Sequence, residues 1–96
     1  MAKSAKPTPM LVLRLYIAGN APNSLRAIAN ANAVCAEHFA SGYELEIVDL
    51  LVHPRQALAD GILVTPTLLR LSPLPVQRVI GNLSDTKQLL LALTLK

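Results

Sequence analysis

The stretch Val64-Thr65-Pro66-Thr67-Leu68-Leu69 carries the reading of the fold. It sets an X-Pro bond directly before a short apolar run rich in β-forming residues, and X-Pro is the one common peptide bond for which cis is cheap, about 0.5 to 1 kcal/mol above trans. A strand entered through such a proline starts from a defined turn. That turn would present the Thr65 backbone to whatever stands opposite, and the chain offers a candidate in the loop Gly19-Asn20-Ala21-Pro22-Asn23-Ser24.

Working outward, Leu11 to Ala18 is apolar apart from Arg14, the pattern of a strand covered on both faces. The loop after it hands over to a helix from Leu25 to about Ala40, with Asn23 or Ser24 as cap. Its expected apolar stripe is Leu25, Ile28, Cys35 and Phe39, with Asn32 as the polar member, and Ser41-Gly42 stops it. Tyr43 to Leu51 reads as an edge strand, since Glu44 and Glu46 share one face. Strand, helix and strand in about forty residues form a right-handed βαβ unit with parallel strands.

Pro54 to Gly61 suits one or two helical turns, with Pro at the first position and Gly at the end. Ile62 to Leu71 is the third strand, Ser72-Pro73-Leu74-Pro75 turns the chain back, and Gln77 to Leu83 makes the fourth. A last helix follows, with Ser84 as cap, Asp85 in its first turn and Leu89 to Leu95 as its body. The order βαβαββα predicts an α/β thioredoxin-like fold: a four-stranded mixed sheet with helices on both faces. Residues 1–10 read as a flexible tail and 11–96 as a single domain, the size a 96-residue chain supports.

Composition narrows the function. With 52% hydrophobic and 16% charged residues the chain should fold, and with no Trp, one Phe and two Tyr its core must be aliphatic. The net charge is +3, yet Lys3, Lys6 and Lys96 lie near the ends, so the body is close to neutral. Nucleic-acid binding calls for clustered cations, and single-strand binding for stacking aromatics; neither is visible. The single cysteine, Cys35, permits no internal disulfide and no CxxC pair, which fits a cytoplasmic location. Neither a secretory leader nor a membrane span is expected.

In a thioredoxin-like fold the loop before the first helix holds the redox dithiol. Here it reads Ala21-Pro22-Asn23-Ser24, and without thiolates there is no disulfide exchange. Cys35, on the apolar stripe, is expected to be buried and inert. His38 and His53 lack ligand spacing to any Cys or carboxylate. A glutathione-type site remains an alternative, in which the proline loop binds the tripeptide backbone and Ser84-Asp85 holds its γ-glutamyl end. Arg14, Arg26, Arg55, Arg70 and Arg78 are dispersed singly, as on a solvated surface, and could supply interface anchors.

Leu13 to Ala27, Ile47 to Pro54 and Ile62 to Asp85, taken in order and nearly without gaps, resemble the KaiB family of circadian clock proteins. The resemblance implies a non-enzymatic adaptor that binds the ring of a KaiC-type ATPase, displaces a sensor histidine kinase with a related domain, and helps sequester a KaiA-like protein. It implies no cofactor, metal or catalytic residue. It also implies two folds: a monomeric thioredoxin-like form that binds KaiC, and a homotetrameric resting form with a rearranged C-terminal half.

By the same resemblance Arg26, Arg70 and Arg78 fall on basic positions that contact partners, and Pro66 stands near the start of the rearranging half. Where relatives carry Gly and Asp in the last element, this chain has Ala92 and Thr94, and Ala favours helix over Gly by up to about 1 kcal/mol. Pro66, Ala92 and Thr94 are therefore the expected fold-determining residues, leaning towards the thioredoxin-like form. Gln56-Ala57-Leu58-Ala59-Asp60 replaces an acidic family patch, and Pro73-Leu74-Pro75 a triple-proline turn. A related role in stress or two-component signalling is the alternative to a clock role.

Overall fold

The computed structural model describes residues 11–95; the expected tail at 1–10 and Lys96 lie outside the described residues. The element order is β1 (Leu11–Ile17), α1 (Pro22–His38), β2 (Tyr43–Asp49), α2 (Pro54–Ala59), β3 (Thr67–Ser72), β4 (Gln77–Ile80) and α3 (Thr86–Thr94). The four strands form one sheet in the order β2-β1-β3-β4. β1 pairs parallel with β2 and antiparallel with β3, which pairs antiparallel with β4. The mixed sheet and the edge position of β2 follow the sequence reading.

Alternation along β1 divides the molecule into two cores. Leu11, Leu13, Leu15 and Ile17 point to one face, where they pack with Ala27, Ala31, Val34 and Cys35 of α1 and Leu89 and Leu93 of α3. Tyr16 points to the other, where Val48, Leu69, Ala57 of α2 and Ile62 close a smaller cluster. Helices thus cover both faces, as expected.

The stripe on α1 keeps Ile28, Cys35 and Phe39 on the core as expected but differs elsewhere. Ser24, Ala27, Ala31, Val34 and Cys35 are buried, while Leu25 is 53% exposed and Asn32 lies outside. Small residues at 27 and 31 let the helix sit close to β1, so Ala supplies the seam that larger aliphatics would hold apart. The cap also differs. Pro22 takes the first helical position after Ala21, and the Ser24 hydroxyl, instead of capping, accepts from the Ala18 amide at 3.1 Å.

β3 begins at Thr67, five residues later than expected at Ile62. Ile62 donates its amide to the Ala57 carbonyl and closes α2, and the Thr67 hydroxyl donates to the Val64 carbonyl at 2.7 Å, which turns 62–66 into a loop. The Thr65–Pro66 bond is cis, as are those before Pro73 and Pro75. Pro66 is buried, and its carbonyl accepts from the Gly81 amide at 2.9 Å. β4 stops at Ile80, short of the expected Leu83, because Gly81 and Leu83 both have positive φ. α3 is capped by Asp85, whose carboxylate accepts from the Gln88 amide at 3.0 Å; Ser84 precedes the cap.

Candidate interaction surface

Three connections meet where β1 and β2 end. Asp49, the last residue of β2, accepts at Oδ1 from the amides of Gly19 at 3.1 Å and Leu51 at 2.9 Å, and its carbonyl accepts from Val52 and His53. One carboxylate thus fixes the loop before α1 to the loop before α2. Tyr16 pairs with Thr67 across the sheet, so Pro66 emerges at this same end.

α2 is anchored from beneath. The Tyr16 hydroxyl donates to Asp60 Oδ2 at 2.5 Å, and Arg14 donates to the same oxygen at 3.1 Å while its Nε reaches Glu46 at 2.6 Å. Arg78 of β4 donates to the carbonyls of Gly61 and Asp60, both at 3.0 Å. These donors hold the Asp60 carboxyl below its usual range, the Tyr16 hydrogen bond being the largest cause. Burial, followed by the hydrogen bond to anionic Asp60, pushes the Tyr16 phenol up to about 12. Nothing in the local sequence around residues 14, 16 and 60 signals this cluster, because it is assembled from residues 44 and 46 positions apart.

Above this anchor the apolar side chains turn outward. Leu51 and Val52 before α2, Leu58 on it, and Leu63 and Val64 after it are exposed, Leu63 by 92%. A shallow cleft of about 340 Å³ opens at the start of α2, lined by Val52, His53, Pro54, Arg55 and Gln56. Large exposed aliphatics are thus concentrated in one short segment, 51–64, around a helix whose end is tied down at Asp60 and Gly61, which makes that segment the candidate for contact with a protein partner. Sequence reasoning missed it because Ile62 to Val64 reads as strand and so as interior.

The residues expected to act fall in different places. Arg26 is exposed at the start of the second turn of α1, within 3.5 Å of Asn23 Oδ1. Arg78 is exposed but spends its guanidinium on the α2–β3 loop. Arg70 corrects the solvated-surface reading: it is 1% exposed and donates to the carbonyls of Ala92, Leu95 and Pro75. This brings Arg70 and Ala92 together, whereas the Thr94 hydroxyl bonds back to Leu90 in its own helix. Asp85 of the alternative glutathione site is engaged as the α3 cap. Cys35 is buried, which raises its thiol to about 11. No group of His, Cys, Asp or Glu among the described residues is arranged to hold a metal ion, and no helix among them is long and apolar enough to cross a membrane.

Known proteins give this arrangement its context. The solution structure of the N-terminal domain of Synechococcus elongatus SasA superposes with a TM-score of 0.76 at 23% identity, covering all of this chain and 93% of that one. In sequence, the circadian clock oscillator protein KaiB of Prochlorococcus marinus is 44% identical over 89 residues, 93% of this chain and 75% of the relative. The circadian clock protein KaiB3 of Synechocystis is 47% identical over 83 residues, 86% of this chain and 81% of its own length. The KaiB domain model matches residues 14–95, from the arginine beneath α2 to the end of α3, and the chain belongs to the KaiB family.

Proposed function

We propose that the chain is a non-enzymatic clock or signalling adaptor of the cytoplasm that binds a KaiC-type ATPase ring in its thioredoxin-like form and modulates the ring's phosphorylation cycle. The observation that carries the proposal is the exposed aliphatic surface at Leu51, Val52, Leu58, Leu63 and Val64, on a KaiB-family chain whose loop 21–24 has no thiol. Rigid anchoring of α2 by Tyr16, Arg14 and Arg78 lowers the ordering cost of docking, so these apolar side chains serve a partner with little rearrangement. Arg26 stands exposed for an ionic contact, and Arg78 contributes by holding the 60–61 turn.

The likeness of fold to the SasA domain supports a competition in which this chain takes the place of a sensor kinase on the ring, with a KaiA-like protein held as a third member. Ala92 and the Arg70 contact to it favour the form with a terminal helix over a tetramer with a rearranged C-terminal half. The test is retention on an immobilised KaiC-type ring with ATP or ADP present, alongside a calorimetric titration with glutathione. The proposal expects retention and no heat; heat from glutathione without retention on the ring would replace it with the glutathione-binding alternative.

A further inference from the structure

The exposed segment 51–64 carries a charge pattern of its own. Between residues 50 and 65 the chain has one carboxylate, Asp60, and it is taken up by the Tyr16 hydroxyl and Arg14. Asp49, just before the segment, spends Oδ1 on the amides of Gly19 and Leu51. Neither acid is left to face a partner.

The cations are placed the other way. Arg55 is exposed on the first turn of α2 and makes no side-chain hydrogen bond or ion pair among the described residues. Arg78 is exposed beside the far end of α2, where it donates to the carbonyls of Asp60 and Gly61 and forms no salt bridge among the described residues. The cleft at the start of α2 repeats the pattern on a small scale: Val52 and the Pro54 ring give it apolar walls, His53, Arg55 and Gln56 give it polar groups, and none of its lining side chains is acidic. Leu51, Leu58, Leu63 and Val64 are exposed in the same segment.

An apolar contact removes water from the charges at its rim, so an arginine without a carboxylate there favours a partner that supplies one and disfavours a partner that brings a second cation. Arginine also suits a carboxylate in shape, since its guanidinium can donate two parallel hydrogen bonds to it. We infer that 51–64 selects a partner whose contact surface is apolar and flanked by carboxylates, with Arg55 as the residue that meets the acid. That assignment rests on 51–64 being a partner-contact surface and not on the ATPase ring in particular.

Amide NMR titration of the isotope-labelled full chain tests it, with short synthetic peptides that alternate leucine with glutamate, leucine with lysine, or serine with glutamate. The leucine–glutamate peptide should shift amides of 51–64 and bind at least about fivefold more tightly than either of the others, with an affinity that falls as salt is raised. Arg55 is exposed, so its replacement leaves the fold intact; Arg55→Glu should weaken that peptide at least about threefold. No shift in 51–64, equal affinity for the lysine or the serine peptide, or unchanged affinity in Arg55→Glu would each overturn the assignment. Retention on a KaiC-type ring is scored separately. Retention without the peptide preference overturns the acidic selection and leaves the proposed function, whereas the peptide preference without retention supports the selection and removes the ring as partner.

Discussion

Tyr16→Phe removes the hydroxyl on which the α2 platform rests. The ring is fully buried among Val48, Ala57, Ile62 and Leu69, and Phe preserves that packing. What disappears is an O–H that lies 2.5 Å from Asp60 Oδ2 and 3.2 Å from the Gln56 carbonyl, the hydrogen bond to the charged acceptor being worth about 1.5 to 3 kcal/mol. Asp60 keeps its bond from Arg14 at 3.1 Å and about a quarter of its side-chain surface in solvent, so the loss should fall near 2 kcal/mol. For a domain of this size that lowers the melting temperature by roughly 8 to 16 °C.

Urea unfolding at a fixed protein concentration should show a lower midpoint with an unchanged slope, since the buried surface is preserved. A double-mutant cycle with Asp60→Ala should return a coupling of about 1 kcal/mol or more. If Tyr16→Phe stays within about 0.5 kcal/mol of the parent, or the coupling vanishes, Asp60 is not what holds α2 to β1.

The same cluster sets the response to pH. Because the folded-state pKa of Tyr16 is raised from 10.0 to about 12, its contribution is complete below pH 10 and lost as pH rises towards 12, roughly 2 to 3 kcal/mol in all; Tyr16→Phe should flatten that alkaline limb of the stability curve. On the acid side the depressed Asp60 contributes above its unfolded pKa, and that part is lost as pH falls through its lower folded value, a slope that Asp60→Ala should reduce. The Cys35 thiol, buried and raised to about 11, should react with a thiol reagent only at the rate of opening, and fast labelling of native protein at neutral pH would contradict the burial. Leu63→Asp should leave the melting temperature within about 2 °C, because the side chain is 92% exposed, while weakening retention on the ATPase ring at least about tenfold.

Much of the fold could be read from residue order. The run at 11–17, apolar apart from Arg14, the Glu-marked edge strand and the Pro and Gly brackets of α2 are local signals, and each element formed where its signal lay. Boundaries failed where a contact from elsewhere decided them. Ile62 to Val64 has strand composition, but the Ile62 amide goes to Ala57, and the chain turns its aliphatics outward instead.

The α1 stripe was legible in part: Ile28, Cys35 and Phe39 pack on the core as expected, whereas Leu25 turns outward and Ala27 and Ala31, which carry little weight in a hydrophobic pattern, form the buried seam. Arg70 is the plainest case. A lone arginine in a strand reads as surface, and only the arrival of α3 and the Pro75 turn, 22 to 25 and 5 residues away, supplies the carbonyls that let it be buried. The anchor of the candidate surface was equally out of reach, since Tyr16 and Asp60 meet only once β1 and α2 are stacked.

As proposed above, the thioredoxin-like form presents residues 51–64 to a KaiC-type ring. The most direct test is an amide NMR spectrum of the isotope-labelled chain, free and with the ring added. Residues 77–80 should show strand shifts and 86–94 helix shifts in the bound form, with signals lost first at Leu51, Val52, Leu58, Leu63 and Val64. Helix shifts at 77–80 followed by strand shifts at 86–94 on the ring, or signal loss centred on the outer face of α1 with 51–64 untouched, would contradict it.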